Sequence, residues 1–410
     1  MNSRARSVGI LGLALLVLLV EVQAGCSSES SQAPVDRSPS SPQQITSWKL
    51  RPVRVNKPIR PSPYRPPRYA VRVASSRQLV SALADEHSRA IVLAPGTYDN
   101  DEPFSNRYGD RLYAARLGSV VLKAGIVIGA NEGPPGALLR GIRFDVSGRA
   151  KTFQGAIVHV WGSATHVTVL DTWLDGNGVA DAGLVVRQPE GFVGRRLVAR
   201  SLRSYGVLVD PNDEGYVARS PYVLTDLDLS RVARRVPGSS SGTAEACLWL
   251  GSKGIVRRVR IRRCGISGIW TGTANRGSRI EDASVDRAPV GVYIEHFTTG
   301  TTFRRLRLGP NVSRGVNAEW ANRARGGRPA SVDNVIRDGY FHTTLVGVYL
   351  DEGTTRTVVR NCKFVAQHWA AIGDYKGIDN RYYANDFTGI APNAVPVSHD
   401  HNAGGGAAGR

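Results

Sequence analysis

Acid is in short supply in this chain. Its 410 residues carry 34 Asp and Glu against 53 Lys and Arg, a formal charge of +19 at pH 7. Lysine is scarcer still: 46 of the 53 basic residues are arginines. Such a surface favours polyanions, among them lipid headgroups, cell-wall phosphates, uronic-acid polysaccharides and nucleic acid. No nucleic-acid reading motif is present, which removes that partner class. Cysteine is sparse, with four residues and no Cys/His spacing of a zinc site. If Cys26 is consumed in the leader, Cys247, Cys264 and Cys362 allow at most one disulfide and leave one thiol over. The reading adopted for them is buried free thiols acting as small hydrophobes. Long apolar runs are lacking after residues 8–20, so no later segment reads as a membrane span.

The first run is a leader. Arg4 and Arg6 precede it and Ala24-Gly25-Cys26 closes it, the order and length of a secretory signal over residues 1–25. The ending resembles a bacterial lipoprotein box, with Gln23 where that pattern has Leu. The resemblance implies that Cys26 is freed and lipidated, which holds an exported protein on the outer side of the membrane; plain secretion is the alternative. Residues 26–68 form a linker. Nine prolines and little apolar content preclude a packed core there. Its second half carries Lys49, Arg51, Arg54, Lys57, Arg60, Arg65 and Arg68 without an acid. Residues 391–410 read as a disordered tail, where His399 and His401 around Asp400 make a poor metal site.

Residues 69–390 are one domain. In SSRQLVSALADEH (75–87), Leu79, Leu83 and Ala84 share a helical face and Ser75 or Ser76 can cap it. AIVLAPGTYDN then gives a strand broken at Pro95-Gly96. A short helix followed by an apolar strand and Pro-Gly-Thr-Tyr resembles the opening of pectate-lyase-like right-handed parallel β-helix proteins. In those proteins the helix shields the open edge of the first coil. A phrase then recurs: GLVVR at 183, GVLVD at 206, CLWLG at 247, GIWTG at 268, GVYIE at 291, GVNAE at 315 and GVYLD at 347. Starts lie 21 to 24 residues apart except at 206–247 and 315–347, which imply inserted loops. A period near 23 with short strands and glycine turns marks a solenoid, all-β apart from its capping helix.

Period-2 alternation assigns the faces. Val292, Ile294, Val348 and Leu350 point in; Tyr293, Glu295, Tyr349 and Asp351 point out. The outward third place runs Val185, Leu208, Trp249, Trp270, Tyr293, Asn317, Tyr349, and the outward fifth Arg187, Asp210, Gly251, Gly272, Glu295, Glu319, Asp351. Adjacent coils lie roughly 4.8 Å apart, so an aromatic ladder stands beside a column that turns from glycine to carboxylate. Exposed Trp249, Trp270, Tyr293 and Tyr349 suit sugar rings, with Gly251 and Gly272 leaving room beside the tryptophans. Glu295, Glu319 and Asp351 crowd three carboxylates into about 10 Å. Such crowding raises a pKa, as in a general acid, or holds a cation such as Ca²⁺. Arg323, Arg325 and Arg328 stand nearby to neutralise an acidic glycan.

Family chemistry is less legible than family fold. The polygalacturonase signatures Asn-Thr-Asp, Asp-Asp, Gly-His-Gly and Arg-Ile-Lys are absent, and Trp173-Leu174-Asp175-Gly176 lacks the His of a pectate-lyase Trp-Ile-Asp-His. Three readings stay open. A glycan-binding envelope solenoid needs only the aromatics, a polysaccharide lyase or hydrolase needs a further base or acid near the column, and a structural or protein-binding solenoid needs neither.

Overall fold

The computed structural model describes residues 53–56, 65–129, 136–161, 164–187, 189–210, 219–233, 245–272, 275–295, 297–318 and 331–400. All belong to one compact unit, residues 49–410. The chain is a parallel β-helix. Strands pair in parallel with the equivalent strand one coil on, so Leu184 faces Val207, Leu248, Ile269, Val292, Val316, Val348 and Ile372 in turn. Three strand columns build the coil. The first, the ladder face, includes Ala182–Val186, Tyr205–Val209, Ala246–Leu250, Ser267–Thr271 and Val346–Leu350. Around a one-residue corner from each other lie the other two, which continuous strands such as Gly254–Cys264 supply in succession.

One hydrophobic interior runs along the stack. Val292, Val348 and Leu350 are fully buried in it and Ile294 is 1% exposed, as the alternation required. Phe341, Phe364 and Phe387 stack inside successive coils at 5.2 and 5.5 Å. The recurring glycine that opens the ladder phrase has a steric cause. A Cβ on Gly183 or Gly268 would sit 2.6 Å from the carbonyl oxygen of Gly206 or Gly291 in the next coil. Cys247 occupies that column and is bonded to Cys264, correcting the expectation of free thiols; Cys362 alone stays a buried thiol. The helix, Ser76–Leu83, is capped by Ser75, whose hydroxyl accepts the Gln78 N–H at 3.3 Å, and it buries Leu79 and Leu83 in the same interior. At the other end Val395–Ser398 adds a strand to Ala370–Asp374, so the solenoid extends past residue 390 into the expected tail.

The corner between the second and third columns follows a rule the repeat did not announce. Asp171, Arg196, Asp226, Arg258, Asp282, Arg305, Asp338, Asn361 and Ala384 occupy it in successive coils, each left-handed with φ between +51 and +60°. Non-glycine residues strain in that region. Acid and arginine alternate here, and the contacts are forked: Arg196 to Asp171, Arg258 to Asp226 at 2.6 and 2.9 Å, and Arg305 to Asp282 at 2.6 and 2.8 Å. Bidentate pairing offsets part of the backbone strain.

Candidate functional site

The ladder exists as a row. Leu208, Trp249, Trp270, Tyr293, Asn317 and Tyr349 are Cα partners in consecutive coils. None of the four aromatics belongs to the interior cluster, so the face assignment stands. Their exposure differs from expectation: Trp249 and Trp270 are half-buried, while Tyr293 and Tyr349 are only 8% and 3% exposed. For Trp249, Trp270 and Tyr293, stacking is the reason. Trp249 and Trp270 lie 4.8 Å apart at 17°, and Trp270 and Tyr293 4.2 Å apart at 45°. Rings one coil apart cover each other's faces and turn edges outward.

The fifth-place column runs alongside. The Glu295 N–H donates to the Thr271 carbonyl at 2.9 Å, and the Asp351 N–H to the Ala318 carbonyl at 3.0 Å. Because Tyr293 pairs with Asn317 and Asn317 with Tyr349, Glu295 and Asp351 lie two coils apart, roughly 10 Å. Glu319, with Arg323, Arg325 and Arg328, lies outside the described residues, as does Cys26. Among the described residues no three His, Cys, Asp or Glu side chains come together to hold a metal. Trp270 Nε1–H donates to Glu295 Oε2 at 3.0 Å, which fixes both indole and carboxylate. Gly272 does not leave ligand space beside the tryptophans: a Cβ there would lie 2.8 Å from the Trp249 ring and 2.9 Å from Glu295 Oε2. Asp351 shapes a turn, its carboxylate accepting the Glu352 N–H at 2.8 Å and its carbonyl the Thr354 hydroxyl at 2.7 Å.

The same face has another character towards its N-terminal coils. His159 continues the row above Val185, 1% exposed and set against Phe153 and Trp161 at 5.0 and 5.2 Å. Burial, reinforced by the Arg187 charge, pushes its pKa down to about 4, so it is neutral at pH 7. Arg187 is itself paired to Asp210 at 2.7 Å, one coil on. Tyr205 packs edge-on to Trp249, and burial, helped by Glu245 and Asp210, lifts its phenol to about 12.

The sequence reading missed a second place. On the third strand column a cavity of about 370 Å³ is lined by Gly118, Arg143, Trp173, Asp175, Val198 and Arg200, with Leu117 and Leu174 beneath. The signal was present in Trp173-Leu174-Asp175, where alternation sends tryptophan and aspartate to the same outer face. Its partners come from coils before and after, at distances along the chain that no local pattern reveals.

No protein-family model and no curated protein matches the chain. Solved structures similar to it include an alginate lyase from Paenibacillus sp. str. FPU-7, at 10% identity over 81% of this chain and 98% of that one, TM-score 0.37. The catalytic domain of a GH87 α-1,3-glucanase is similar at 12% identity over 82% and 69%, TM-score 0.44. The Streptococcus pneumoniae surface adhesin PfbA is similar at 12% identity over 77% and 88%, TM-score 0.36.

Proposed function

We propose that this protein is an exported, non-catalytic solenoid that binds polysaccharide along its ladder face. The observation that carries the reading is the half-exposed Trp249–Trp270 pair with Trp270 fastened to Glu295, in register with the rows on either side. A linear polymer laid along the coil axis meets a new rung roughly every 4.8 Å, with Trp249, Trp270 and Tyr293 as consecutive aromatic rungs. Indole edges give apolar contact to sugar C–H groups, and carboxylate oxygens accept sugar hydroxyls. By the sequence repeat Glu319 belongs to the same acceptor row. Export through the leader, with Cys26 as a lipid anchor on the outer side of the membrane or with plain secretion, belongs to the same proposal.

Affinity electrophoresis tests the reading. The mature chain is run through gels containing neutral or acidic polysaccharide, beside Trp249→Ala and Trp270→Ala. We expect retardation in at least one polysaccharide, lost in both variants. Retardation unchanged by both substitutions removes the ladder as the contact line.

A further inference from the structure

We propose that the cavity around Trp173 is a second binding site, for a single sugar ring carrying one negative charge. It goes beyond the ladder reading, since it lies on a different strand column and shares with it only the class of ligand. At about 370 Å³ it falls at the small end of the range for ligand pockets.

The wall chemistry is specific. Trp173 makes no ring contact with another aromatic among the described residues, unlike the self-covered indoles of the ladder. Gly118 is left-handed at φ +72°, which favours glycine, and it leaves bare a part of the Trp173 ring that a Cβ there would touch at 3.4 Å. Val198 follows Trp173 in the next coil and adds apolar wall. Arg143 precedes Trp173 in the coil before, half-buried, and makes no hydrogen bond or ion pair among the described residues. Its guanidinium lines the cavity with Trp173, and its charge helps hold the Asp145 carboxyl below its ordinary value without a salt bridge between them.

The neighbouring column is fixed instead. Arg200 Nε donates to Asp175 Oδ2 at 2.6 Å, and the Asn177 N–H donates to Asp175 Oδ1 at 3.3 Å. Asp145, one coil before Asp175, is engaged by Lys123 at 2.7 Å and Asn177 at 2.7 Å. Lys123 and Asn177 thus take the hydrogen bonds of Asp145, and Arg143 keeps its donors unengaged among the described residues, with Asp175 and Arg200 fixed beside it. The lining holds two guanidiniums against one carboxylate, an excess of one positive charge. A planar guanidinium takes a carboxylate in forked geometry, and the indole takes the apolar side of a pyranose.

Calorimetric titration of the mature chain with trigalacturonate and with the neutral trisaccharide cellotriose tests this, using Arg143→Gln, Trp173→Ala and the ladder variant Trp270→Ala. Thermal melts confirm that each variant is folded. We expect trigalacturonate to bind at least tenfold more tightly than cellotriose. Arg143→Gln and Trp173→Ala should each weaken it tenfold or more, and Trp270→Ala should leave it unchanged. Equal binding of the two trisaccharides, no binding of trigalacturonate, or indifference to Arg143→Gln overturns the site. Loss in Trp270→Ala with Arg143→Gln unchanged moves the acidic sugar to the ladder, overturning this inference while sparing the ladder. Loss in Arg143→Gln, with polymer retardation insensitive to Trp270→Ala, does the reverse.

Discussion

Replacing Arg258 by Gln tests whether the alternating corner is a stabilising device. Asp226 is 1% exposed and receives both arms of Arg258, with the Asn56 N–H at 3.1 Å as its other donor. Removing one partner of a fully buried ion pair costs about 3–5 kcal/mol, and of an exposed pair about 0–1. The Arg258 side chain is 34% exposed, so solvent screens part of the interaction and about 2 kcal/mol is the expected loss. The cost should depend on pH in a definite direction. Although burial alone would raise it, Arg258 and the Asn56 N–H hold the Asp226 carboxyl below its ordinary value. Its contribution is therefore present above an unfolded pKa of about 3.9 and fades as pH falls through the lower folded value. Without Arg258, burial raises the folded pKa, so wild type and variant converge in acid. Urea unfolding at pH 7 and pH 3.5 reads both terms. A difference under about 0.5 kcal/mol at pH 7, or one that persists unchanged at pH 3.5, refutes the argument.

Val348 is fully buried, and Val348→Asp should cost several kcal/mol, since a solenoid interior offers the new carboxylate no partner. Circular dichroism and yield would show it, and a variant as stable as wild type would contradict the inward assignment. His159 titrates near 4 in the fold against about 6.5 unfolded, so its contribution is intact above pH 6.5 and fades towards pH 4. His159→Phe should remove up to roughly 3 kcal/mol of that acid sensitivity, and unfolding midpoints at pH 7 and 4.5 that shift equally in both proteins would exclude it. Gly272→Ala should splay the indole pair, because the added methyl meets both Trp249 and Glu295. Unchanged near-ultraviolet circular dichroism would speak against that packing.

The solenoid was legible because its cause is local. Glycine then an aliphatic residue at nearly every phrase start reflects a carbonyl one coil away and an inward side chain, and both are written within five residues. The row Trp249, Trp270, Tyr293, Tyr349 was legible for the same reason. Its burial was not, because exposure depends on how rings in neighbouring coils lean on each other. The corner pairs Asp226–Arg258 and Asp282–Arg305 are 32 and 23 residues apart, so inserted loops hide their alternation from any fixed period. Arg143, Trp173 and Val198 were missed likewise: three coils supply one cavity. Cys247 stands where its neighbours have glycine, and only the register shows which cysteine it meets.

The most direct test of the account is a glycan array probed with the mature chain, with and without calcium, beside Trp270→Ala. The account predicts that wild type is retained on a polysaccharide class and that Trp270→Ala is not. A wild-type protein that binds no neutral or acidic polysaccharide in either condition would contradict it.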